Sequence, residues 1–385
     1  MLTQNANEFL CAVGAEKPAG KLLRRYWHPV GIASELSDKK PKKRVRVLGE
    51  DLVLFRLRDG RYGLVAEACS HRRASLYYGF LDDDSIRCAY HGWKYALDGR
   101  CLEQPFEKDP AFKDEVRHPA YPVEKLAGLL FAYLGPPEKK PLLPRWDYLV
   151  REDWPRKIEV HPVLQCNWLQ PMENAVDPSH TRFLHGETFR QKGIPRNISY
   201  NLRKVDRFEY EFCEWGIRKS RVFEDGEREI GHLLVFPNML RHPGSLHFRV
   251  PIDDTHTQIY RVIRLKEGSS EAGNELPSDY ITYKNSEDGE FHMENFPSQD
   301  AMAWETQGPL TDRTKELLGE SDRGITLFRK MLREQIELVM SGGEPIALIR
   351  DPANNQVINF LTSEWQGNDN GRPGAGEKFP HPEPL

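Results

Sequence analysis

Residues 69–93 read CSHRRASLYYGFLDDDSIRCAYHGW, and the spacing in this stretch decides the front half of the chain. Two ligand pairs, Cys69-x-His71 and Cys88-x-x-His91, are separated by sixteen residues. Thiolates and imidazoles together select zinc or an iron–sulfur centre. A structural zinc could take all four donors, but its usual pairings join Cys with Cys and His with His. Here each pair is mixed. That suits a two-iron cluster in which one iron takes both cysteines and the other both histidines. Neutral imidazoles in place of two thiolates lower the cluster's negative charge, so an electron is easier to add. Such centres lie at roughly −150 to +300 mV, against about −400 mV for an all-cysteine plant-type cluster. Gly79, Gly92 and Trp93 flank the ligands; Gly92 would let the backbone pass close to sulfur and Trp93 would cover the cluster.

Working outward, the surroundings read as short strands with close turns. Val45, Val47, Leu52, Leu54 and Phe55 surround Gly49-Glu50, and Asp59-Gly60 and Asp98-Gly99 mark hairpins. A compact β domain over 27–125 follows, with residues 1–26 before it as a helical segment packed on the second domain. Gly128–Leu134 is a buried strand, and the prolines of 135–145 make a stiff connector. Over 126–350 the pattern mixes types. Strands are expected at Ile158–Leu164, Ser199–Val205, Glu209–Trp215, Glu229–Phe236, Leu246–Val250 and Gln258–Leu265. Helices are expected at Ser298–Trp304 and Ile325–Ser341, the latter from apolar residues spaced by three or four. Asn167–His185 should form two short helices broken at Pro171 and Pro178. The tail 351–385 is expected to be partly disordered, being rich in Gly, Pro, Asn and Asp from Gln366.

The second constellation lies in 167–186, NWLQPMENAVDPSHTRFLHG. His180 and His185 are five apart, a loose same-face match on a helix that a bend or a π-turn would improve. Two histidines and one carboxylate form the facial triad of mononuclear non-haem iron, which leaves positions open for dioxygen and substrate approach. A one-electron donor in the same chain calls for such an acceptor. Of 58 acidic residues, Asp300 in PSQDAMAWETQG is our choice for the third ligand. Asp177, three before His180, is the competing ligand, or an acceptor that fixes a histidine ring.

On these residues the chain resembles the terminal oxygenases of the Rieske non-haem iron aromatic-ring-hydroxylating family, phthalate dioxygenase branch. The likeness runs from about Asn5 to Arg350. It rests on NEFLCAVG and KLLRRYWHPV, the two cluster pairs, CNWLQPMENAVDPSHTRFLH, VPIDDTHT and QDAMAWETQGPLTDR. It implies that Cys69, His71, Cys88 and His91 hold a Rieske 2Fe-2S cluster and that His180, His185 and Asp300 hold Fe(II). It implies that Asp177 bridges an iron histidine to a cluster histidine of the next subunit. It further implies a head-to-tail homotrimer, or a hexamer of stacked trimers, and an α+β architecture. In that architecture an all-β cluster domain is joined to a helix-grip catalytic domain, an antiparallel sheet over a long helix.

Function follows in the same conditional sense. Electrons from NAD(P)H would arrive through a separate flavin and iron–sulfur reductase, since GEDLVLFRLRDGRYG is no dinucleotide fingerprint. With O2 the enzyme would mono- or dihydroxylate, or O-demethylate, a small aromatic carboxylate or aryl ether. Arg182, Arg241, His242 and Arg249 are candidates to hold its acid group. His28, His118, His161, His232, His247, His256, His292 and His381 read as surface or capped histidines, and Cys101 as buried. The competing function is a Rieske electron carrier with a non-catalytic domain. Lys and Arg number 54 against 58 Asp and Glu, a net charge of −4, with a pI near 6.4 and mean hydropathy of −0.65. That balance argues against nucleic acid and an anionic membrane surface as partners. No apolar run reaches a spanning length and no signal pattern opens the chain, so the expected compartment is the cytoplasm.

Overall fold

The computed structural model describes residues 1–194, 201–265 and 278–359. Ser199, where a strand was expected to start, and the tail from Gln366 lie outside these residues. The front half builds from hairpins. Lys42–Val47 and Glu50–Arg56 pair antiparallel, joined by Leu48 and Gly49 at φ 50° and 81°. Positive φ at both turn residues matches the right-handed twist of the strands. Tyr62–Ala66 and Ala120–Tyr121 complete this four-stranded sheet. A second sheet is made of four very short strands, Phe80–Leu81, Ser85–Arg87, Lys94–Ala96 and Cys101–Glu103. The two sheets enclose a core of their own, with Val53, Phe55, Val65, Leu76, Ile86 and Tyr95 packed around Cys69 and Cys88. A three-stranded sheet follows, in which the fully buried Leu129–Tyr133 lies between Trp27–Ile32 and Val123–Leu126.

The back half is dominated by an eight-stranded sheet. Its order is Val205–Cys213, Gly216–Phe223, Arg228–Val235, Met239–His242, Ser245–Pro251, Thr257–Arg264, Arg156–Val160 and Ser278–Tyr280. Only the last pairing is parallel. Three of these strands escaped the hydrophobic pattern, one of them the three-residue Ser278–Tyr280. Gly216–Phe223 is GIRKSRVF, and its basic residues suggest solvent, yet Lys219 and Arg221 are buried. Met239–His242 is only four residues long.

The α+β expectation holds. Arg323–Met340 turns Phe328, Leu332 and Ile336 inward and packs against Pro18–Leu23 and against Leu169–Ala175. The latter helix in turn packs on Arg228–Val235 and Met239–His242. Pro171 does not break it. Pro171 is its third residue, in the first turn, where a backbone N–H has no intrahelical partner to lose. A buried ionic knot fixes the arrangement. Glu173 receives Arg313 Nε at 2.8 Å and Nη2 at 2.7 Å, and Arg329 Nε at 2.6 Å.

The start of the long helix touches the corner that leads into the second constellation. A Cβ on Gly324 would stand 2.3 Å from the Val176 carbonyl oxygen and 2.4 Å from the Tyr210 ring. Gly324→Ala should therefore destabilise the protein by about 1–3 kcal/mol, against a helix-propensity gain of at most about 1 kcal/mol. Thermal unfolding checks this; an unchanged or raised Tm would show that the contact relaxes at no cost.

Candidate metal centres

The two loops that carry the Cys/His pairs share one backbone scheme. Cys69 N–H donates to the Ala74 carbonyl and Arg73 N–H to the Cys69 carbonyl, each at 2.9 Å. In the second loop Cys88 N–H donates to Trp93 at 2.8 Å and Gly92 N–H to Cys88 at 3.0 Å. The fifth residue is left-handed in both, Arg73 at φ 64° and Gly92 at φ 76°. The histidine stands third in one loop and fourth in the other. Both thiols are buried and neither is in a disulfide. The imidazoles lie outward and half-buried, their ring centroids 4.7 Å apart. His71 stacks on Trp93 at 4.5 Å, and the Tyr95 hydroxyl sits 3.1 Å from Cys69 Sγ.

This arrangement separates the two metal readings. A single zinc would draw its donors to within about 4 Å of one another, given bond lengths of about 2.0–2.3 Å. No three of these four donors fall within 4.8 Å of one another. Two thiols inside and two imidazoles outside fit a binuclear cluster with its histidine iron toward the surface.

At the other centre the local geometry is unusual. Thr181–Glu187 is a π-helical turn, closed by Thr188 N–H donating to Phe183 O, five residues back. His180 and His185 therefore meet across one π-turn, with ring centroids 5.2 Å apart. Asp300 comes from Phe296–Glu305, whose start is set by Asn295 accepting from Ser298 N–H at 2.9 Å and by Pro297 in the first turn. One donor atom from each of His180, His185 and Asp300 lies within 4.8 Å of the others. Asp300 Oδ1 is 3.3 Å from His185 Nε2 and 3.9 Å from His180 Nε2. That oxygen is buried and accepts no well-aligned hydrogen bond.

The surrounding groups keep the set poised for a cation. Burial alone would raise the Asp300 carboxyl, but His185, His180 and Arg249 outweigh it and hold it anionic. Burial likewise works against a charged His185, and Asp300 and Gln299 pull it back up. Gln299 Oε1 lies 2.7 Å from His185 Nδ1, so Nε2 is left to face Asp300. Asp177 is not part of this set. Its Oδ1 accepts Ser179 N–H and Oγ–H at 2.7 and 2.5 Å, and its Oδ2 is 3.4 Å from His180 Nδ1. Burial opposes its charge, yet His180, Ser179 and Lys219 hold it well below the usual carboxylate range. The geometry keeps Asp177 out of the ligand set and leaves its Oδ2 beside the His180 ring, whose Nδ1 also lies 3.3 Å from Asn174 Nδ2.

The three donors open on a cavity of about 410 Å³. Of the cation candidates, His242 and Arg249 line it; Arg182 and Arg241 do not. Sequence reasoning missed Lys219, Arg221 and Arg261, and it assigned His161, His232 and His247 to surface or capped positions although all three face the cavity. Their one sequence signal was position: basic residues and histidines alternating along strands that are otherwise apolar. Burial lowers His242 to about 4 and Lys219 to about 8, and it lowers His232 and His247 well below the ordinary range. Arg221 is paired with Glu229. Lys219 donates only to the Asp177 carbonyl, at 3.2 Å, and Arg249 Nε has no acceptor. The wall is thus positive, with donors to spare, and suits a ligand carrying an anionic group.

Residues 26–122 match the family model described as the Rieske [2Fe-2S] domain, and 271–363 that of the LigXa C-terminal domain like. The chain is 38% identical over 378 residues to the 5,5'-dehydrodivanillate O-demethylase oxygenase subunit of a Sphingobium species, covering 94% of this chain and 87% of that one. It is also 38% identical to the phenoxybenzoate dioxygenase subunit alpha of Ectopseudomonas oleovorans, over 92% and 91% of the two chains. The fold is similar to the terminal oxygenase of carbazole 1,9a-dioxygenase from Nocardioides aromaticivorans. There the TM-score is 0.61 at 20% identity, over 86% of this chain and 96% of that one.

Removing the hydrogen bond that orients His185 should loosen metal binding without touching the thiol-rich loops. Gln299→Leu is expected to weaken iron binding by about 10–100-fold, read by ferrous titration of metal-stripped protein. The visible absorbance of the front-half cluster should not change. Equal iron affinity in the variant would remove Gln299 from the site.

Proposed function

The chain belongs to the Rieske non-haem iron oxygenases, as a terminal oxygenase component, and from that premise we propose its site residues, partners and substrate class. Cys69, His71, Cys88 and His91, within a unit spanning 27–125, hold the 2Fe-2S cluster. His180, His185 and Asp300, within 126–350, hold Fe(II). The observation that carries this reading is the buried Asp300 Oδ1, an anionic oxygen with no aligned donor, facing two imidazoles in a cavity of positive potential. When bound, the cluster supplies single electrons and the ferrous centre activates dioxygen for insertion into the substrate.

The chain's own residues set the conditions for that chemistry. Gln299 and Asp177 orient the two imidazoles. The apolar ring of Phe296 packs edge-on against His185, 4.9 Å between centroids, and limits water there. Lys219 and Arg249 receive the acid group of the substrate. The cavity volume falls within the range of roughly 300–1,000 Å³ typical for drug-sized ligands, which leaves room for more than one aromatic ring. We therefore assign an aromatic carboxylate or an aryl ether bearing an acid, ring-hydroxylated or O-demethylated. Two relatives named for a divanillate demethylation and a phenoxybenzoate oxygenation support that class.

Electrons come from a separate flavin and iron–sulfur reductase, and the assembly is a homotrimer in which Asp177 links His180 to a cluster histidine of the adjacent subunit. Two features support this. Asp177 Oδ2 has capacity beyond its contact with His180. The exposed Tyr90 also lies against His91, ring centroids 3.7 Å apart, apolar surface that a protein partner would cover. Among the described residues no helix is long and apolar enough to cross a membrane, and we place the enzyme beside its NAD(P)H-dependent partner in the cytoplasm.

Two measurements test the reading. Metal analysis of reconstituted protein should give more iron than sulfide, because the mononuclear site adds to a cluster with equal numbers of each; equal amounts would leave an electron carrier. Asp177→Asn should retain both centres and slow turnover by about 10–100-fold, followed as oxygen uptake and formaldehyde release over a panel of aromatic acids and aryl ethers. Wild-type turnover in a metal-replete Asn variant would exclude Asp177 from electron or proton transfer.

A further inference from the structure

We propose that His242 reads a free hydroxyl on the substrate's aromatic system, accepting its hydrogen at Nε2, so that the cavity is built for a hydroxyaryl acid. This rests on the aromatic-acid reading above and narrows it. His242 ends the strand Met239–His242 and lines the cavity, as does His232 on the neighbouring strand. Their ring centroids are 4.5 Å apart. His232 is in turn the cross-strand partner of Lys219. Lys219, His232 and His242 thus form a row over three successive strands, a backbone span of about 10 Å.

One nitrogen of His242 is already committed. Nδ1 lies 2.7 Å from the Pro243 carbonyl oxygen, which can only accept, so Nδ1 carries the hydrogen and donates it. The turn that follows holds this carbonyl in place. Gly244 N–H donates to the Tyr148 hydroxyl at 2.9 Å, and Arg264 N–H to the Gly244 carbonyl at 2.8 Å. Burial, with Arg261 adding to it, lowers the imidazole to about 4, so the ring has no second hydrogen at neutral pH. Nε2 is therefore a bare lone pair, and among the described residues no donor hydrogen-bonds to it.

The wall around it is otherwise one of donors. Lys219 gives one bond, to the Asp177 carbonyl, and Arg249 and Arg261 each keep an Nε without an acceptor. Both Glu229 oxygens are taken by Arg221. A ligand must bring acceptors to most of this wall and a donor to one point. A carboxylate or an ether oxygen only accepts and cannot meet Nε2. An ammonium group is excluded by Arg241 and Arg261, whose charges already oppose a proton on His242. A neutral hydroxyl fits. His232, which makes no hydrogen bond among the described residues, lies beside it to donate to the hydroxyl oxygen. A hydroxyl ortho to the acid group bonds to its own carboxylate and has no hydrogen to share. The hydroxyl that His242 reads therefore stands across the ring from the acid, or on a second ring.

The test is equilibrium binding to the full-length enzyme with both metal centres loaded, kept anaerobic and without an electron donor so that nothing turns over. Titration calorimetry with 4-hydroxybenzoate, 4-methoxybenzoate, 2-hydroxybenzoate and benzoate gives the affinities. Wild type should bind 4-hydroxybenzoate about ten-fold more tightly than 4-methoxybenzoate or benzoate, and 2-hydroxybenzoate should show no such gain. His242→Phe keeps a flat ring without an acceptor and should bring the hydroxy-to-methoxy ratio close to one. His242→Gln carries an amide oxygen near the place of Nε2 and should restore part of the preference. Ratios measured within one protein are insensitive to a general loss of fold or of the acid site. Equal affinity for the two para-substituted acids in wild type, or an undiminished preference in His242→Phe, overturns the proposal and leaves the aromatic-acid reading intact. If none of the acids binds wild type, that reading fails and the proposal falls with it.

Discussion

The site depends on a five-residue spacing that an ordinary helix cannot use. At 3.6 residues per turn, positions five apart point about 140° away from each other. His180 and His185 would then face different neighbours. The π-turn over Thr181–Glu187 adds a residue to the turn and swings His185 back under His180. Such a turn forfeits regular hydrogen-bond geometry and persists where tertiary contacts hold it. Those contacts are present. Arg221 donates to the Thr181 hydroxyl at 2.7 Å, Phe296 packs on both His185 and Phe189, and Gln299 holds the far nitrogen of His185. Asp300 and Gln299 are successive residues, so one short helix delivers both the charge and the orienting bond.

The same constraint explains why so much charge is buried behind the π-turn. Glu173 sits four residues before Asp177 and receives two arginines, one from the loop at 313 and one from the long helix. Breaking such a group by removing one partner costs about 3–5 kcal/mol, whereas the intact group adds little net stability. What it fixes is register. The helix Leu169–Ala175 cannot slide along Arg323–Met340 without parting Glu173 from both cations, and sliding would carry Asn174, Asp177 and His180 with it.

How much of this was legible in the sequence varies with the kind of signal. The Cys/His pairs were readable because mixed pairing at fixed spacing excludes most alternatives, and the structure adds that the two loops are near-copies in hydrogen bonding. The π-turn was foreseeable from five-residue spacing alone. Asp300 was barely so: one acid among 58 has no local mark beyond its place at the start of an expected helix, and resemblance to a family gave that choice its weight. The strands Gly216–Phe223 and Met239–His242 were lost for a physical reason. Periodicity finds strands by an apolar inward face, and here the inward face lines a cavity with Lys219, Arg221 and His242. Function had replaced the residues that would have announced the fold.

That replacement also shapes the chemistry. Histidines on three neighbouring strands remain neutral because burial and nearby arginines make protonation costly, so they can both donate and accept hydrogen bonds. The fixed positive charge comes from Lys219, Arg249 and Arg261, each short of acceptors or shared with one carboxylate. A substrate acid can satisfy those cations at one point while hydroxyl or ether oxygens meet the neutral rings at another. Orientation then follows from matching two different kinds of polar wall. It does not require a close steric fit, and a cavity with volume to spare can still present one particular bond to the metal-binding corner.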